Sequence, residues 1–269
     1  MKYLLPLLIL MFFSQCLFSQ VGDYHNDTLV NYMDINKKKQ GKWIKKHDNG
    51  QIRYKGQFVD DMPVGTFYYY FKDGKLKSML DYDNKGNARC EMFHENGNIA
   101  ATGKYNKNRE RIGDWEFHYE NGVTSAKIPY ENNKAHGKVF IYYTDGSLLL
   151  ECNYNNGTLD GEYKKYFKHG ARQILGTYKN GSRNGHFKFF DTSDRLIEEG
   201  PFINGLRHGT FIKYEGVQGP DTIEYINNKP ENWEELNEEL QKQLEDAKNN
   251  QHRFKHPEDY IDNPIEFFR

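Results

Sequence analysis

Residues Gly161 to Asn184 read GEYKKYFKHGARQILGTYKNGSRN, and this stretch decides the fold. It opens on a glycine and places Tyr163 two positions later and Tyr166 five positions later. Gly170 follows at nine, Tyr178 at seventeen, and Asn180-Gly181 closes the pattern. With Gly161 as position zero, the same register begins at Gly41, Gly65, Gly113, Gly137, Gly185 and Gly209. The steps are 24 residues except for one of 48, so a further unit is hidden inside the long step. A fixed period of this size is the mark of a repeat architecture.

The positions have consistent chemistry. Position two carries Trp43, Phe67, Trp115, Val139, Tyr163, Phe187 and Phe211. Position seventeen carries Phe58, Tyr82, Tyr130, Tyr154, Tyr178 and Phe202. The hidden third unit fits if it slips by one residue. It then starts at Ala88, with Cys90 at position two, Phe93 at five, Gly97 at nine and Tyr105 at seventeen, and an extra residue before Gly113 restores the frame. Two turn signals punctuate each unit. One is Asn49-Gly50, Asp73-Gly74, Asn121-Gly122 and their equivalents. The other is Asn156-Gly157, Asn180-Gly181 and Asn204-Gly205, with Asp60-Asp61 and Asn132-Asn133 in register. Such dipeptides tolerate positive φ at both central residues, so type I′ hairpins are expected at both sites. Turns about every 12 residues between aromatic segments predict an all-β fold. It is an elongated meander of tandem 24-residue β-hairpins in a single sheet. Eight units span 41–228, and at ~4.8 Å per strand the sheet is expected to be about 75 Å long.

Composition agrees. Aromatics make up 15% of the 269 residues, with 20 Tyr and 18 Phe, while the mean hydropathy is -0.93. Tyr suits a pleated surface where the ring packs and the hydroxyl stays wet. A formal net charge of -1 argues against nucleic acid as a partner, since that needs a basic surface.

Gly161-Glu162-Tyr163-Lys164-Lys165-Tyr166-Phe167-Lys168-His169-Gly170, like Gly113-Asp114-Trp115 through Gly122, resembles the MORN (membrane occupation and recognition nexus) repeat in its bacterial variant form. The resemblance covers residues 41 to 226 and implies an array of hairpins used in protein or lipid contacts. Arrays of this variant also resemble the YwqK-type repeat proteins labelled antitoxins. An export signal departs from that picture, because a cytoplasmic toxin would need a cytoplasmic antitoxin.

The chain ends read differently from the array. Lys2 followed by the apolar run Tyr3 to Phe13 suits a signal peptide over residues 1–20 and is too short to span a bilayer. The mature chain is therefore expected to lack a transmembrane span and to be exported, whether periplasmic, outer-envelope associated or secreted. Cys16 raises lipidation as an alternative, although Gln15 before it is larger than a lipidation signal prefers. Residues 21–40 are a polar lead-in. In 229–269, Trp233, Leu236, Leu240, Leu244 and Ala247 form one helical stripe. This helix is expected to cap the open end of the sheet, where a bare edge invites aggregation. The alternative is a partner-binding helix. The rest of that segment reads as an extended tail.

No Gly-x-Ser-x-Gly, His-Glu-x-x-His or P-loop pattern occurs, so neither an enzyme nor a cofactor or metal site is expected. The ten histidines are scattered; His136 and His208, at the same repeat place three units apart, read as solvated loop residues, and Cys90 and Cys152 as small buried residues too far apart to bridge. The binding candidate is the position-five row of Tyr70, Phe93, Tyr142, Tyr166, Phe190 and Tyr214. Its rings could line a groove for a protein partner foremost, or for an envelope polymer or lipid headgroups. The alternative is that they pack as core. Positions two and five differ in parity, so their rings face opposite sides unless a bulge realigns them. The function expected is a non-enzymatic, exported interaction or envelope scaffold module. The competing reading is an antitoxin or immunity-type protein that neutralises a toxin by binding.

Overall fold

The computed structural model describes residues 22–25, 28–214 and 219–249. The expected signal peptide and the C-terminal tail lie outside them. The described residues are mostly strands in antiparallel hairpins, followed by one helix, Trp233–Asn249. The chain divides into two compact units, 1–148 with 154–157, and 149–153 with 158–269. Within each, strands pair with their neighbours in sequence, as in Lys39–Lys46 with Ile52–Val59 and in Gly185–Phe190 with Leu196–Ile203.

The two turns of each repeat are of different kinds. At the second turn both central residues have positive φ: Asn156 50° with Gly157 84°, Asn180 50° with Gly181 81°, Asn204 51° with Gly205 86°. These are the type I′ turns expected. The first turn departs from expectation. The Gly50 N–H donates to the His47 carbonyl (3.0 Å), the His47 N–H donates to Gln51 (2.8 Å), and only Gly50 has positive φ. This is a three-residue loop, a type I turn closed by a glycine bulge. It recurs at Phe71–Gly74, His94–Gly97, Tyr119–Gly122 and Phe167–Gly170.

The position-zero glycines all have positive φ, from 64° at Gly65 to 113° at Gly161. They sit in a bulge. The register moves by two residues between Ile112 and Glu116, and again opposite Gly56, where Gly65 stands. A side chain at such a φ is strained, which accounts for glycine there. Ala88 in the third unit lacks positive φ, and its strand pairs without a shift, from Ser78↔Met92 to Tyr82↔Ala88. The one-residue slip therefore has two causes. The bulge is missing, and the preceding turn is a three-residue loop around Gly86 instead of a two-residue one. The extra residue before Gly113 is also found, in a loop closed by Arg109 at φ 63°.

The core is the row of position-two side chains. Phe67, Cys90, Trp115, Val139, Phe187 and Phe211 are all at most 2% exposed. Position-seventeen rings stand edge-on between them. In one unit Trp43–Phe58–Phe67–Tyr82 run at centroid spacings of 5.8, 5.1 and 5.5 Å. In the other, Phe187–Phe202–Phe211–Tyr225 run at 5.0, 5.4 and 5.2 Å. Each such edge-to-face pair adds about 0.5–1.5 kcal/mol to the burial of the rings. Cations two residues before position zero cover the row: the Arg111 guanidinium lies 4.3 Å from the Tyr130 ring, and that of Arg207 lies 4.7 Å from Phe211.

The C-terminal helix Trp233–Asn249 is open to solvent. None of its residues is buried, and Trp233, Leu236, Leu240 and Leu244 are 42, 44, 51 and 47% exposed. Among the described residues, no helix is long and apolar enough to cross a membrane.

Candidate functional site

The rings that join successive hairpins are those of positions two and seventeen, not position five. Phe67 stacks on Tyr69 at position four, and Phe187 on Phe189, so positions two and four share the core face. Direct pairing puts Ile44, Lys55 and Tyr68 together on the other face. Tyr70 belongs there too, because the Lys55 ammonium lies 5.3 Å from the Tyr68 ring and 5.6 Å from that of Tyr70. Parity is therefore kept. A bulge does occur before position five, between Tyr69 and Tyr70 and at each equivalent place, but its extra residue is on the returning strand.

The six position-five side chains have unequal surroundings. In the first unit Tyr70, Phe93 and Tyr142 are half-buried. In the second, Tyr166 is half-buried and Phe190 is buried at 6%, with the Arg172 guanidinium 4.3 Å over its ring. Arg172 is itself held by a two-pronged contact with Asp194, at 2.9 Å on each oxygen. Tyr214 is 37% exposed and donates from its hydroxyl to Glu199 at 2.6 Å. Glu199 also accepts from His186 Nε2 (2.9 Å) and lies 3.4 Å from Lys188 Nζ. The Tyr214 and His186 hydrogen bonds and the Lys188 charge bring its pKa down to about 2.

Some residues read as bland in the sequence bind across repeats. Asn49 Nδ2 donates to the Lys72 carbonyl (2.8 Å), Asn96 to Glu120 (2.8 Å) and Asn121 to Thr144 (3.0 Å). His169 stands at the same repeat position and donates to Thr192. His47 and His94 donate to the carbonyls of Tyr70 (3.1 Å) and His118 (2.9 Å). These three histidines thus bond one repeat to the next. The signal that could have found them is the spacing, since each donor lies 23 or 24 residues before its acceptor.

The hairpin with a glycine bulge, repeated on a 24-residue step over a row of buried rings, is the pattern that the family comparison also detects. Residues 39–60, 63–84, 111–132, 135–156 and 159–180 match the MORN repeat variant. The chain carries MORN repeats. Beyond the five matched MORN segments, the structure repeats the same hairpin at Gly185–Phe190 with Leu196–Ile203 and at Gly209–Lys213 with Asp221–Ile226. The chain matches no curated protein.

Among the described residues no three His, Cys, Asp or Glu side chains converge as metal ligands. Cys90 and Cys152 are free and buried, and burial pushes both thiols up to about 11, far from the range of a nucleophile.

Proposed function

We propose that this MORN-repeat chain is a non-enzymatic interaction module, exported from the cytoplasm, that holds a protein partner against the face bearing the position-five side chains. The observation that carries this reading is the difference between the two faces. Phe67, Trp115, Phe187 and Phe211 at position two are at most 2% exposed, with half-buried position-seventeen rings such as Phe58 and Tyr178 packed edge-on against them, while Tyr70 and Tyr142 are half-buried and Tyr214 is exposed on the other face. Half-exposed Tyr side chains give large contact area at low entropic cost, which is why they are enriched in protein interfaces. Export rests on the apolar run Tyr3–Phe13 after Lys2.

Two measurements test the reading. Crosslinking of the tagged chain in its native cells should recover the same protein repeatedly, with the bait in the envelope or medium fraction. Tyr142→Ala and Tyr166→Ala, each made alone, should lower that recovery at least fivefold while the melting temperature stays within a few degrees. Recovery unchanged in both variants would reject the face. An intact mass beginning at Met1 in the cytosol would reject export.

A further inference from the structure

Two segments of the described chain carry opposite charge. Residues 37–55 hold eight Lys and Arg against the single carboxylate Asp48. Lys42, Lys45, Lys46, Arg53 and Lys55 are exposed, and none pairs with a carboxylate among the described residues. Lys42, Lys55 and the half-buried side chains of Ile44 and Tyr68 line a shallow groove of about 270 Å³, with the Lys55 ammonium over the Tyr68 ring. At the other end, helix Trp233–Asn249 has six carboxylates against two lysines. Of these, Glu234, Glu235, Glu238, Glu239 and Glu245 make no ion pair among the described residues. They flank the exposed stripe of Trp233, Leu236, Leu240 and Leu244.

We infer that the helix of one copy docks on the Lys42–Lys55 groove of a second copy, joining the chains head to tail. The apolar stripe would cover Ile44 and Tyr68, and the flanking carboxylates would meet the unpaired ammonium groups. Charge selects this occupant over the others. Two such helices packed on each other would bring unpaired carboxylates together, which is unfavourable. An anionic lipid surface would repel the same carboxylates. A junction between two different surfaces leaves a free helix at one end and a free groove at the other, so association continues or closes a ring.

The test is sedimentation velocity on the purified full chain over a range of concentration. The wild type should self-associate in 0.05 M salt and dissociate at 0.5 M, because exposed ion pairs are screened. Leu240→Glu breaks the helix stripe, and Lys42→Glu with Lys55→Glu breaks the groove. Each variant alone should be monomeric, with an apparent Kd raised at least tenfold and an unchanged far-ultraviolet circular dichroism spectrum. Mixed together, they should form dimers and nothing larger, since one intact helix and one intact groove remain. A wild type that is monomeric throughout overturns the inference. So does a groove variant that still self-associates, which would mean helix-to-helix pairing, and so does a mixture that stays monomeric.

Discussion

Gly176 lies beneath the ring of Phe187: a methyl group built on it would stand 2.5 Å from the ring carbons Cδ1 and Cε1. Gly56 stands in the same relation to Phe67, Gly103 to Trp115 and Gly200 to Phe211. At Leu80 and Ile128, where position fifteen holds a branched side chain, the following position two is smaller than an aromatic ring. Leu80 pairs directly with Cys90, and Ile128 precedes Val139 in the register. The two positions share one volume, as close packing requires.

That sharing predicts a non-additive pair. Gly176→Ala should destabilise the chain by about 1–3 kcal/mol through overpacking. Phe187→Val should cost about 2 kcal/mol in lost burial and cavity. In the double variant the valine leaves room for the new methyl group, so the combined loss should fall short of the sum by about 1 kcal/mol or more. Urea unfolding of the four proteins measures this, and strict additivity would show that the two sites do not compete for space.

The period, the hairpins and the buried position-two row could be read from glycine and aromatic spacing alone. The turn type at Asn49-Gly50 could not. Asn-Gly fits a type I′ turn and also a type I turn followed by a glycine bulge. The choice depends on how many residues separate the last paired positions, which the dipeptide does not state. Similarly, the slip at Ala88 could be counted in sequence, but its two causes could not be separated. A missing bulge removes two residues and a longer turn adds one. For the candidate site, parity left two readings open, opposite faces or a bulge that realigns the rings, and the structure keeps Tyr70 and Phe67 on opposite faces. Nothing in the spacing shows that Phe190 lies under Arg172 while Tyr214 stands open, because those differences come from single neighbours and not from the repeat.

Asn121 serves two bonds at once. Its Oδ1 accepts from the Val123 N–H at 3.0 Å, and its Nδ2 donates to Thr144 in the next hairpin. Asp73 and Asp145 occupy the same position and keep only the first kind of bond, at 3.0 Å to Lys75 and 3.0 Å to Ser147. Asn121→Asp should therefore cost less than Asn121→Ala. The expected losses are about 0.5–1 and about 1–2 kcal/mol, in line with one or two exposed hydrogen bonds. Thermal melts rank the two, and equal losses would mean that the turn alone, not the link between repeats, depends on Asn121.

Glu199 makes the stability of its unit sensitive to acid. Its pKa is about 2 in the folded chain against an ordinary 4.5. Folding thus favours the ionised form, and the stability it contributes is fully present above pH 4.5 and lost as pH falls towards 2. Glu199→Gln should lower the melting temperature at pH 6, and its gap from the wild type should close as pH drops through this window. Tyr214→Phe removes the leading cause of the shift, so its acid loss should begin at higher pH than in the wild type. A gap that stays constant from pH 6 to pH 2.5 would mean that Glu199 titrates normally.

Cys90 and Cys152 test whether the position-two and position-fifteen rows form a closed core in solution. Both are at most 2% exposed, and burial holds their thiols at about 11. Reaction with an alkylating reagent needs the thiolate and access together. At pH 8 both are therefore expected to label through opening of the sheet, at least a hundredfold slower than in denaturant, with each site followed by peptide mass. Adding the reagent at higher concentration should leave the slow rate unchanged once opening limits it. Rapid labelling of Cys90 alone would place the weak point at the third unit, where Ala88 replaces the bulge glycine and the strand pairs without a register shift.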